Sequence, residues 1–269
     1  MADDRADLAL ITEAVRDAGV IAKRYFHEGV DHWAKHDATP VSQADLHIDT
    51  YLKDRLMAAR PGYGWLSEET EDDPARLDKP RIFVVDPIDG TRAFLRGKPH
   101  FVISIAVVDQ GRPVAGVLYE PVHDALFAAT KGGGATLNGR AIAPQDRDRL
   151  DGAHMIGSEG LYRHPAWPEQ WPPLTISTVN SIAYSIGLVA AGLAHGAVAL
   201  TAKSDWDLAG ADLIIHEAGG LLTDHRGAGL VYNAARPRHP TLVAAAPGFH
   251  RILLKKLTEF DTAKPSGAR

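Results

Sequence analysis

Three closely spaced β-like runs most constrain what this chain can fold into. Residues 81–85, 101–108 and 114–119 are rich in β-branched or aromatic side chains, and each run is bounded by Gly, Pro or Asp. A shorter run of the same kind covers residues 63–66. These patterns predict a strand-rich segment in the first half of the chain.

Helical periodicity flanks these strands on both sides. Apolar residues recur at helical spacing over 7–26 and over 43–59, where Gly29 and Pro61-Gly62 act as terminators. The second half alternates predicted strands with predicted helices, and this alternation indicates layered α and β structure. The predicted strands there are 154–157, 174–177 and 197–200, and the predicted helices are 180–194 and 206–218.

Turn-rich segments suggest how the chain is divided. The glycine-rich stretch 131–140 contains an Asn-Gly pair and predicts a tight hairpin at the end of a first half, residues 1–143. Residues 145–151 are charged and look like a connection into a second half, residues 144–269. The Pro- and Trp-rich segment 163–173 predicts a long exposed loop.

Composition narrows the chemistry. Among 269 residues there is no cysteine, so we expect no disulfide, no thiolate nucleophile and no Cys-ligated zinc. No apolar run approaches the roughly 18 residues of a membrane-spanning helix, and the acidic first residues lack a following apolar segment. The missing apolar segment leads us to expect a cytoplasmic protein. The net charge of −5 favours a small-molecule substrate over nucleic-acid or membrane partners.

The segment from Asp86 to Thr91 is the strongest candidate for a functional site. Asp86 follows the predicted strand 81–85, and Pro87 is expected to stop strand pairing there. Asp89 comes three residues later, Gly90 permits close backbone approach, and Thr91 is expected to cap a short helix. Two carboxylates beside free N–H groups suit phosphate only when cations intervene. Alone, the segment also fits a plain pair of surface turns.

An aspartyl-phosphate mechanism is the rival interpretation of this segment. Phosphatases of the haloacid dehalogenase type place their two acids in an Asp-x-Asp-Gly-Thr pattern. Here Pro87 stands two residues before Asp89, and Asp86 stands three before it. The spacing therefore argues against a covalent aspartyl intermediate.

Two further acidic segments accompany it. Glu68 and Glu69 follow the predicted strand 63–66, and Asp207 opens a predicted helix. Each has a plain alternative, since the glutamates can begin a solvated charged run and Asp207 can be a simple helix N-terminal acid.

Taken together with a fourth segment, from Lys35 to Asp45, these motifs resemble the inositol monophosphatase superfamily. Their order and separations agree from Lys35 to Leu222, including Glu217-Ala218-Gly219-Gly220. The superfamily comprises lithium-sensitive, magnesium-dependent phosphatases, among them 3′(2′),5′-bisphosphate nucleotidases. The resemblance implies a fold of the α+β / α/β class with α-β-α-β-α layers, and usually a homodimer.

The resemblance also implies roles for individual residues. Asp45 and Thr91 look like the pair that orients the attacking water, while Gly90 and Thr91 would hold the phosphate through their backbone N–H groups. The resemblance assigns Glu68 two roles, as a catalytic residue and as a metal ligand. Oxygen ligands without thiolates favour Mg²⁺, with Mn²⁺ as substitute, and two to three ions are expected per site. The implied metal ligands are Glu68, Asp86, the backbone carbonyl of Ile88, Asp89 and Asp207.

The substrate is left open by the sequence. Lys35, Ser181 and Lys203 are candidate substrate contacts, although a solvated lysine, a helix cap and a loop-rim lysine are equally good interpretations. Leu200 stands where animal inositol enzymes carry a hydroxyl-binding glutamate, and Ser67 replaces the commoner glycine. Inositol phosphate hydrolysis ranks first, followed by bisphosphate nucleotidase, histidinol-phosphatase and a catalytically silent regulatory member.

Overall fold

Helices and strands are interspersed among the described residues, except for a run of consecutive strands between residues 102 and 156. The computed structural model describes residues 2–34 and 40–263. A short 3₁₀ helix spans Pro74–Asp78. The described α-helices are α1 (Ala2–Glu28), α2 (Gln43–Ala59), α3 (Thr91–Phe94), α4 (Glu159–Tyr162), α5 (Ile182–Ala190), α6 (Asp205–Glu217) and α7 (Pro247–Ala263).

The described strands form two larger sheets and two small ribbons. They are β1 (His32–Ala34), β2 (Pro40–Ser42), β3 (Gly64–Ser67), β4 (Arg81–Asp89), β5 (Val102–Asp109), β6 (Arg112–Glu120), β7 (Ala125–Thr130), β8 (Ala135–Leu137), β9 (Arg140–Ala141), β10 (His154–Ile156), β11 (Thr175–Ser177), β12 (Gly196–Ala199), β13 (Lys203–Ser204), β14 (Leu221–Thr223), β15 (Arg238–His239) and β16 (Leu242–Ala245).

In the seven-stranded sheet the order of the strands is their order in the sequence, whereas in the five-stranded sheet it is not. The seven strands lie in the order β3-β4-β5-β6-β7-β8-β9, with β3 parallel to β4 and the later neighbours antiparallel. The five-stranded sheet has the order β11-β10-β12-β16-β14, in which β10 is parallel to both of its neighbours. The ribbons are β1-β2 and β13-β15.

Three buried apolar clusters define the layers. In the first, α1 and α2 cover one face of the seven-stranded sheet, where Ile11 and Ile48 of the helices join a cluster that includes Phe83 of β4. In the second, α5 and α6 fill the space between the two sheets. In the third, α7 packs through Phe249 and Leu253 on the outer face of the five-stranded sheet. The predicted α-β-α-β-α order is confirmed, and no helix among the described residues is long and apolar enough to cross a bilayer.

Most predicted elements occur close to their expected positions, but two local predictions were wrong. β4 does not stop at Pro87, because a register shift between Asp86 and Asp89 carries the strand past the proline. The short helix after it is capped by Gly90 rather than by Thr91, which is its first residue.

The expected long exposed loop at 163–173 is another correction. Trp167 and Trp171 are only 3% and 9% exposed, and they join the apolar cluster under α7. Trp167 Nε1 donates to the Leu161 carbonyl at 2.7 Å, and the two indoles pack edge to face. The segment buries its aromatic side chains because they extend the core over the edge of the second sheet.

Helix α6 lies unusually close to the seven-stranded sheet. A Cβ atom placed on Gly116 of β6 would lie 3.1 Å from the Gly210 carbonyl oxygen and 3.2 Å from its Cα. A Cβ atom on Gly210 would in turn lie 3.3 Å from the Val117 carbonyl oxygen. The paired glycines therefore let the helix that carries Asp207 approach the sheet at backbone contact distance.

Candidate metal and phosphate site

The irregular end of β4 supplies the centre of the site. Ile88 N–H donates to Asp86 Oδ1 at 3.0 Å, which turns the chain back on itself across Pro87. Asp86 is 1% exposed, and its Oδ2 has no hydrogen-bond partner among the described residues. A buried carboxylate oxygen without a donor is costly, so this atom indicates a place for a cation.

Two other carboxylates lie beside Asp86. Oxygen atoms of Glu68, Asp86 and Asp207 all lie within 4.8 Å of one another, although the three residues come from segments at β3, β4 and α6. They line a cavity of about 170 Å³. The full lining consists of Glu68, Asp86, Ile88, Asp89, Gly90, Thr91, Arg92, Asn180 and Asp207.

Burial and mutual repulsion dominate the electrostatics of this cavity. Burial, reinforced by the charges of Glu68, Asp89 and Asp207, raises the pKa of Asp86 well above its usual value. Burial likewise raises the pKa of Asp89 to about 6 and that of Asp207 to about 7. The folded protein thus holds these carboxyls in a site that disfavours their ionisation unless positive charge is supplied.

Helix α5 holds Asp89 from one side. Its Oδ2 accepts hydrogen bonds from Ser181 Oγ and Ala183 N, both at 2.6 Å, and these bonds oppose the effect of burial on the pKa of Asp89. Ser181 Oγ also accepts from Tyr184 N at 2.9 Å, so the serine is the N-cap of α5. One oxygen of Asp89 is thereby fixed to the helix.

Asp207 and Glu68 are also held by neighbours. Asp207 Oδ2 accepts the Ser204 N–H at 2.6 Å in the first turn of α6. The segment carrying Glu68 is tied to α2, because Ser67 Oγ and Thr70 Oγ1 both donate to the buried carboxylate of Asp49. The Asp207 contact is local to the first turn of α6, whereas the Asp49 contacts fix the Glu68 segment to α2.

Asp45 and Thr91 meet at the edge of the cavity. Asp45 closes a capping box at the start of α2, where its Oδ2 accepts from Ser42 N at 2.8 Å and Ser42 Oγ at 2.5 Å. Its Oδ1 lies 3.4 Å from Thr91 Oγ1. The same hydroxyl lies 3.1 Å from the Ile88 carbonyl oxygen, so its single proton can go to either acceptor.

The candidate substrate contacts fall in different places. Ser181 has no exposed surface and serves Asp89, which differs from the predicted direct contact. Lys203 lies near enough that its positive charge partly offsets the rise in the pKa of both Asp89 and Asp207. Lys35 lies outside the described residues.

The structure also brings forward two residues that the sequence interpretation missed. Arg92 and Asn180 line the cavity beside the acids. The sequence offered one signal for their place in the site, because Arg92 directly follows Thr91 and Asn180 directly precedes Ser181.

The residues present suit a hard divalent cation. The donors are carboxylate oxygens together with the Ile88 carbonyl, which lines the same cavity, and this is the ligand chemistry that Mg²⁺ and Mn²⁺ prefer. The unpartnered Asp86 Oδ2 and the raised pKa values are both explained if positive charge belongs among the acids.

Fold and site together define a layered α/β protein with a small cavity lined by clustered carboxylates. A family model described as the inositol monophosphatase family matches residues 3–259. An inositol-1-monophosphatase of Rhizobium meliloti is 36% identical over 232 residues, which cover 82% of this chain and 86% of the relative. A Nus factor SuhB of Pasteurella multocida is 30% identical over 260 residues, which cover 93% of this chain and 95% of the relative.

Structural similarity agrees with the sequence matches. The crystal structure of the extragenic suppressor protein suhB from Bartonella henselae is 30% identical and superposes with a TM-score of 0.81. The similarity covers 98% of this chain and all of that one. The chain belongs to the inositol monophosphatase family, a family of phosphatases.

Proposed function

We propose that this chain hydrolyses a small phosphate monoester with the help of two to three Mg²⁺ ions, for which Mn²⁺ can substitute. The observation that carries the proposal is the buried, unpartnered Asp86 Oδ2, which lies among the carboxylates of Glu68 and Asp207. The proposed ligands are Glu68, Asp86, the Ile88 carbonyl, Asp89 and Asp207. Bound cations would offset the phosphate charge and make a water molecule more acidic.

The chain's own residues would bind and orient the phosphate. Gly90 and Thr91 line the cavity at the start of α3, so their backbone N–H groups are the proposed phosphate donors. Asp89 is held to α5 through one oxygen, which leaves its other oxygen for the cavity. A fixed ligand of this kind lowers the ordering cost of reaching a reactive geometry.

Thr91 and Asp45 would orient the attacking water. When the Thr91 hydroxyl donates to Asp45 Oδ1, its lone pairs are free to accept a hydrogen bond from water. Asp45 Oδ2 already receives two donors from Ser42, so the carboxylate cannot easily rotate away. The pair therefore supplies a fixed acceptor for the water proton, and Glu68 is an additional carboxylate on the cavity wall.

The inositol-1-monophosphatase relatives support an inositol phosphate as first candidate substrate. A second candidate, a 3′(2′),5′-bisphosphate nucleotide, is favoured by two cationic side chains. Arg92 lines the cavity, and Lys203 acts electrostatically on Asp89 and Asp207. Two cations near the cavity suit a substrate with a second anionic group. Histidinol phosphate, which carries an amine instead, is disfavoured by the same cations.

A phosphate-release assay tests the proposal. The purified chain is incubated with inositol 1-phosphate, 3′-phosphoadenosine 5′-phosphate, histidinol phosphate and fructose 1,6-bisphosphate, each with Mg²⁺, Mn²⁺ or EDTA. We expect metal-dependent release from at least one, with a loss of roughly 10³-fold or more in Asp89→Asn. Asp54→Asn, which removes the same charge from an exposed position of α2, is the matched control. Wild-type turnover by folded Asp89→Asn would refute the ligand assignment.

Relatives named Nus factor SuhB support a regulatory role as a further candidate. The same assay separates the two, because a catalytically silent member releases no phosphate under any metal condition. The homodimer implied by the family is also a proposal, and sedimentation of the full chain tests it directly.

A further inference from the structure

A chain of hydrogen bonds, buried at its two ends and half-buried in the middle, joins two of the segments that carry site acids. It begins at Arg76 in the 3₁₀ helix that follows Glu68, passes through Asn233, and ends at Asp205 in the first turn of α6. None of these three residues lines the cavity. We propose that Asn233 and its partners are positioning residues that set the separation between Glu68 and Asp207; this inference rests on the proposed metal-dependent function.

The Arg76 end is anchored to the strand that leads to Glu68. Arg76 is 2% exposed, and its guanidinium is gripped by Asp72 through two hydrogen bonds of 2.6 and 3.0 Å. A Cβ atom on Gly64 of β3 would lie 3.1 Å from Arg76 Cβ and 3.2 Å from its Cα. The arginine is therefore packed against the backbone of β3, and a shift of one moves the other.

Asn233 forms the bridge. Arg76 Nη1 donates to Asn233 Oδ1, and Nη2 donates to the Ala234 carbonyl at 3.1 Å. The planar guanidinium thus donates to Asp72 through Nε and Nη2 and to residues 233–234 through Nη1 and Nη2, a geometry that a lysine cannot reproduce. Asn233 has φ of +60°, a left-handed conformation that asparagine tolerates better than most residues.

The Asp205 end fixes the start of α6. Asp205 is fully buried, and its Oδ2 accepts the Asn233 N–H at 2.7 Å. Its Oδ1 lies 2.8 Å from His239 Nε2 in β15, the strand that pairs with β13. Since β13 contains Lys203 and directly precedes α6, this carboxylate clamps the turn that presents Lys203 and Asp207.

The bridge spans the gap between segments that are otherwise held from opposite sides. Asp49 ties the Glu68 segment to α2, whereas the Ser204 N–H holds Asp207 within its own helix turn. The Arg76–Asn233–Asp205 chain connects the Glu68 segment to α6, because the Asn233 side chain accepts from Arg76 and the Asn233 backbone N–H donates to Asp205. Cutting it is expected to let two carboxylates that repel one another move apart in the absence of metal.

The test uses a pair of substitutions at the bridge and one control. Asn233→Gly removes the side-chain acceptor of Arg76 Nη1, while it keeps the Ala234 carbonyl that accepts from Nη2, the left-handed backbone and the N–H that binds Asp205. Asn233→Asp keeps an acceptor oxygen. Asn138→Gly is the matched control, because Asn138 also has positive φ, +50°, and also uses its side chain in a tight turn.

The primary readout is affinity for Mn²⁺ alone, measured by isothermal titration calorimetry on the full chain, with metal-free melting temperature recorded beside it. We expect Asn233→Gly to weaken Mn²⁺ binding by about tenfold, and Asn233→Asp to stay close to wild type. Asn138→Gly should lower the melting temperature without changing Mn²⁺ affinity. In turnover assays, the Mg²⁺ concentration for half-maximal rate should rise more for Asn233→Gly than the KM for the phosphate ester.

The inference is overturned if Asn233→Gly binds Mn²⁺ as tightly as wild type, or if Asn138→Gly loses as much affinity. In either case wild-type phosphate release would leave the proposed function intact. Wild-type protein that neither binds Mn²⁺ nor releases phosphate would overturn both. Arg76→Lys provides a second test, because lysine keeps the positive charge but lacks the several N–H donors of the planar guanidinium. It should weaken Mn²⁺ binding as Asn233→Gly does.

Discussion

Ser181 donates its hydroxyl proton to Asp89 Oδ2 at 2.6 Å, and this bond joins the N-terminus of α5 to the end of β4. The serine belongs to the second half of the sequence, whereas the aspartate belongs to the first. The N-cap of α5 therefore also holds a candidate metal ligand in place. Substitutions at the start of α5 should change the position of Asp89 in the candidate metal site.

Ser181→Ala tests that coupling. The substitution removes both the cap of α5 and one of two donors to Asp89, so we expect a loss of about 1–2 kcal/mol in the free energy of unfolding. Turnover should fall as well, because Asp89 would be held by Ala183 N alone. Urea unfolding and steady-state kinetics measure the two effects. Ser181→Thr keeps the hydroxyl and is the control; equal losses in both variants would argue against the hydrogen bond as the cause.

Neutralising Asp86 should stabilise the metal-free protein. In Asp86→Asn the new side chain would still accept the Ile88 N–H through its amide oxygen, and its amide nitrogen would replace a carboxylate oxygen that faces Glu68 and Asp207. Each pKa unit of relieved repulsion corresponds to about 1.4 kcal/mol. We expect a higher melting temperature in EDTA at alkaline pH, by roughly 2–4 °C per kcal/mol, with loss of stabilisation by Mg²⁺. An Asp86→Asn protein that melts below wild type in EDTA would contradict this.

The stability of the metal-free protein should fall as pH rises. The pKa values of Asp89 and Asp207 rise from 3.8 to about 6 and about 7 on folding, mainly because of burial. Between about pH 4 and 7 the folded state therefore binds more protons than the unfolded state, and the free energy of unfolding decreases with increasing pH.

Urea unfolding of EDTA-treated protein at a series of pH values from about 5 to 8 measures this trend. The decrease should be shallower in Asp207→Asn, which lacks one of the titrating groups. Saturating Mg²⁺ should also flatten it, because bound cations stabilise the ionised carboxylates. Wild-type and Asp207→Asn proteins with the same slope would show that Asp207 titrates as it does in the unfolded chain.

Gly90→Ala should damage the phosphate end of the site. Gly90 has φ of +105°, and a Cβ atom there would lie 2.8 Å from the His100 carbonyl oxygen and 3.2 Å from Phe101 Cα. Backbone strain and overlap together are expected to cost about 2 kcal/mol or more. Because Thr91 follows directly, turnover should drop disproportionately.

Gly97→Ala is the control for that prediction. Gly97 also has positive φ, +65°, but nothing lies within 4 Å of a Cβ atom placed on it. It should therefore report the cost of the backbone conformation alone, about 1 kcal/mol. Thermal melts and phosphate release on both variants make the comparison, and equal effects would exclude the contact with residue 100 as the cause.

Periodicity and punctuation predicted the regular parts of the fold well. The helix expected at 43–59 is α2 (Gln43–Ala59), because its apolar spacing is regular and Pro61-Gly62 ends it sharply. The strands expected at 81–85 and 101–108 occur as β4 and β5. Their order within the sheet could not be read from the sequence, because pairing depends on contacts between distant segments.

The site was predicted as a set of residues rather than as an arrangement. Spacing within 86–91 singled out Asp86, Asp89 and Thr91, but not the register shift that lets a strand continue past Pro87. Ser181 was recognised as a good helix cap, yet its bond to Asp89 spans two halves of the chain. Long-range hydrogen bonds of this type leave no periodic trace in the sequence.

The role of the Trp-rich segment was misjudged for a related reason. Prolines around Trp167 and Trp171 indicated a loop, and composition alone placed it at the surface. Burial of the two indoles depends on the apolar face of α7, which lies far along the chain. Local composition predicts that a segment is irregular, but burial follows from what packs over it.

The contact between Gly116 and Gly210 bears on the position of Asp207 in this chain. Because main chain meets main chain there, the separation of α6 from β6 at this point depends on backbone atoms rather than on the size of a side chain. The same close contact makes the two glycines sensitive to substitution. A methyl group added at Gly116 would lie 3.1 Å from the Gly210 carbonyl oxygen, so α6, and Asp207 with it, would have to shift by a few tenths of an ångström without a change to any acid.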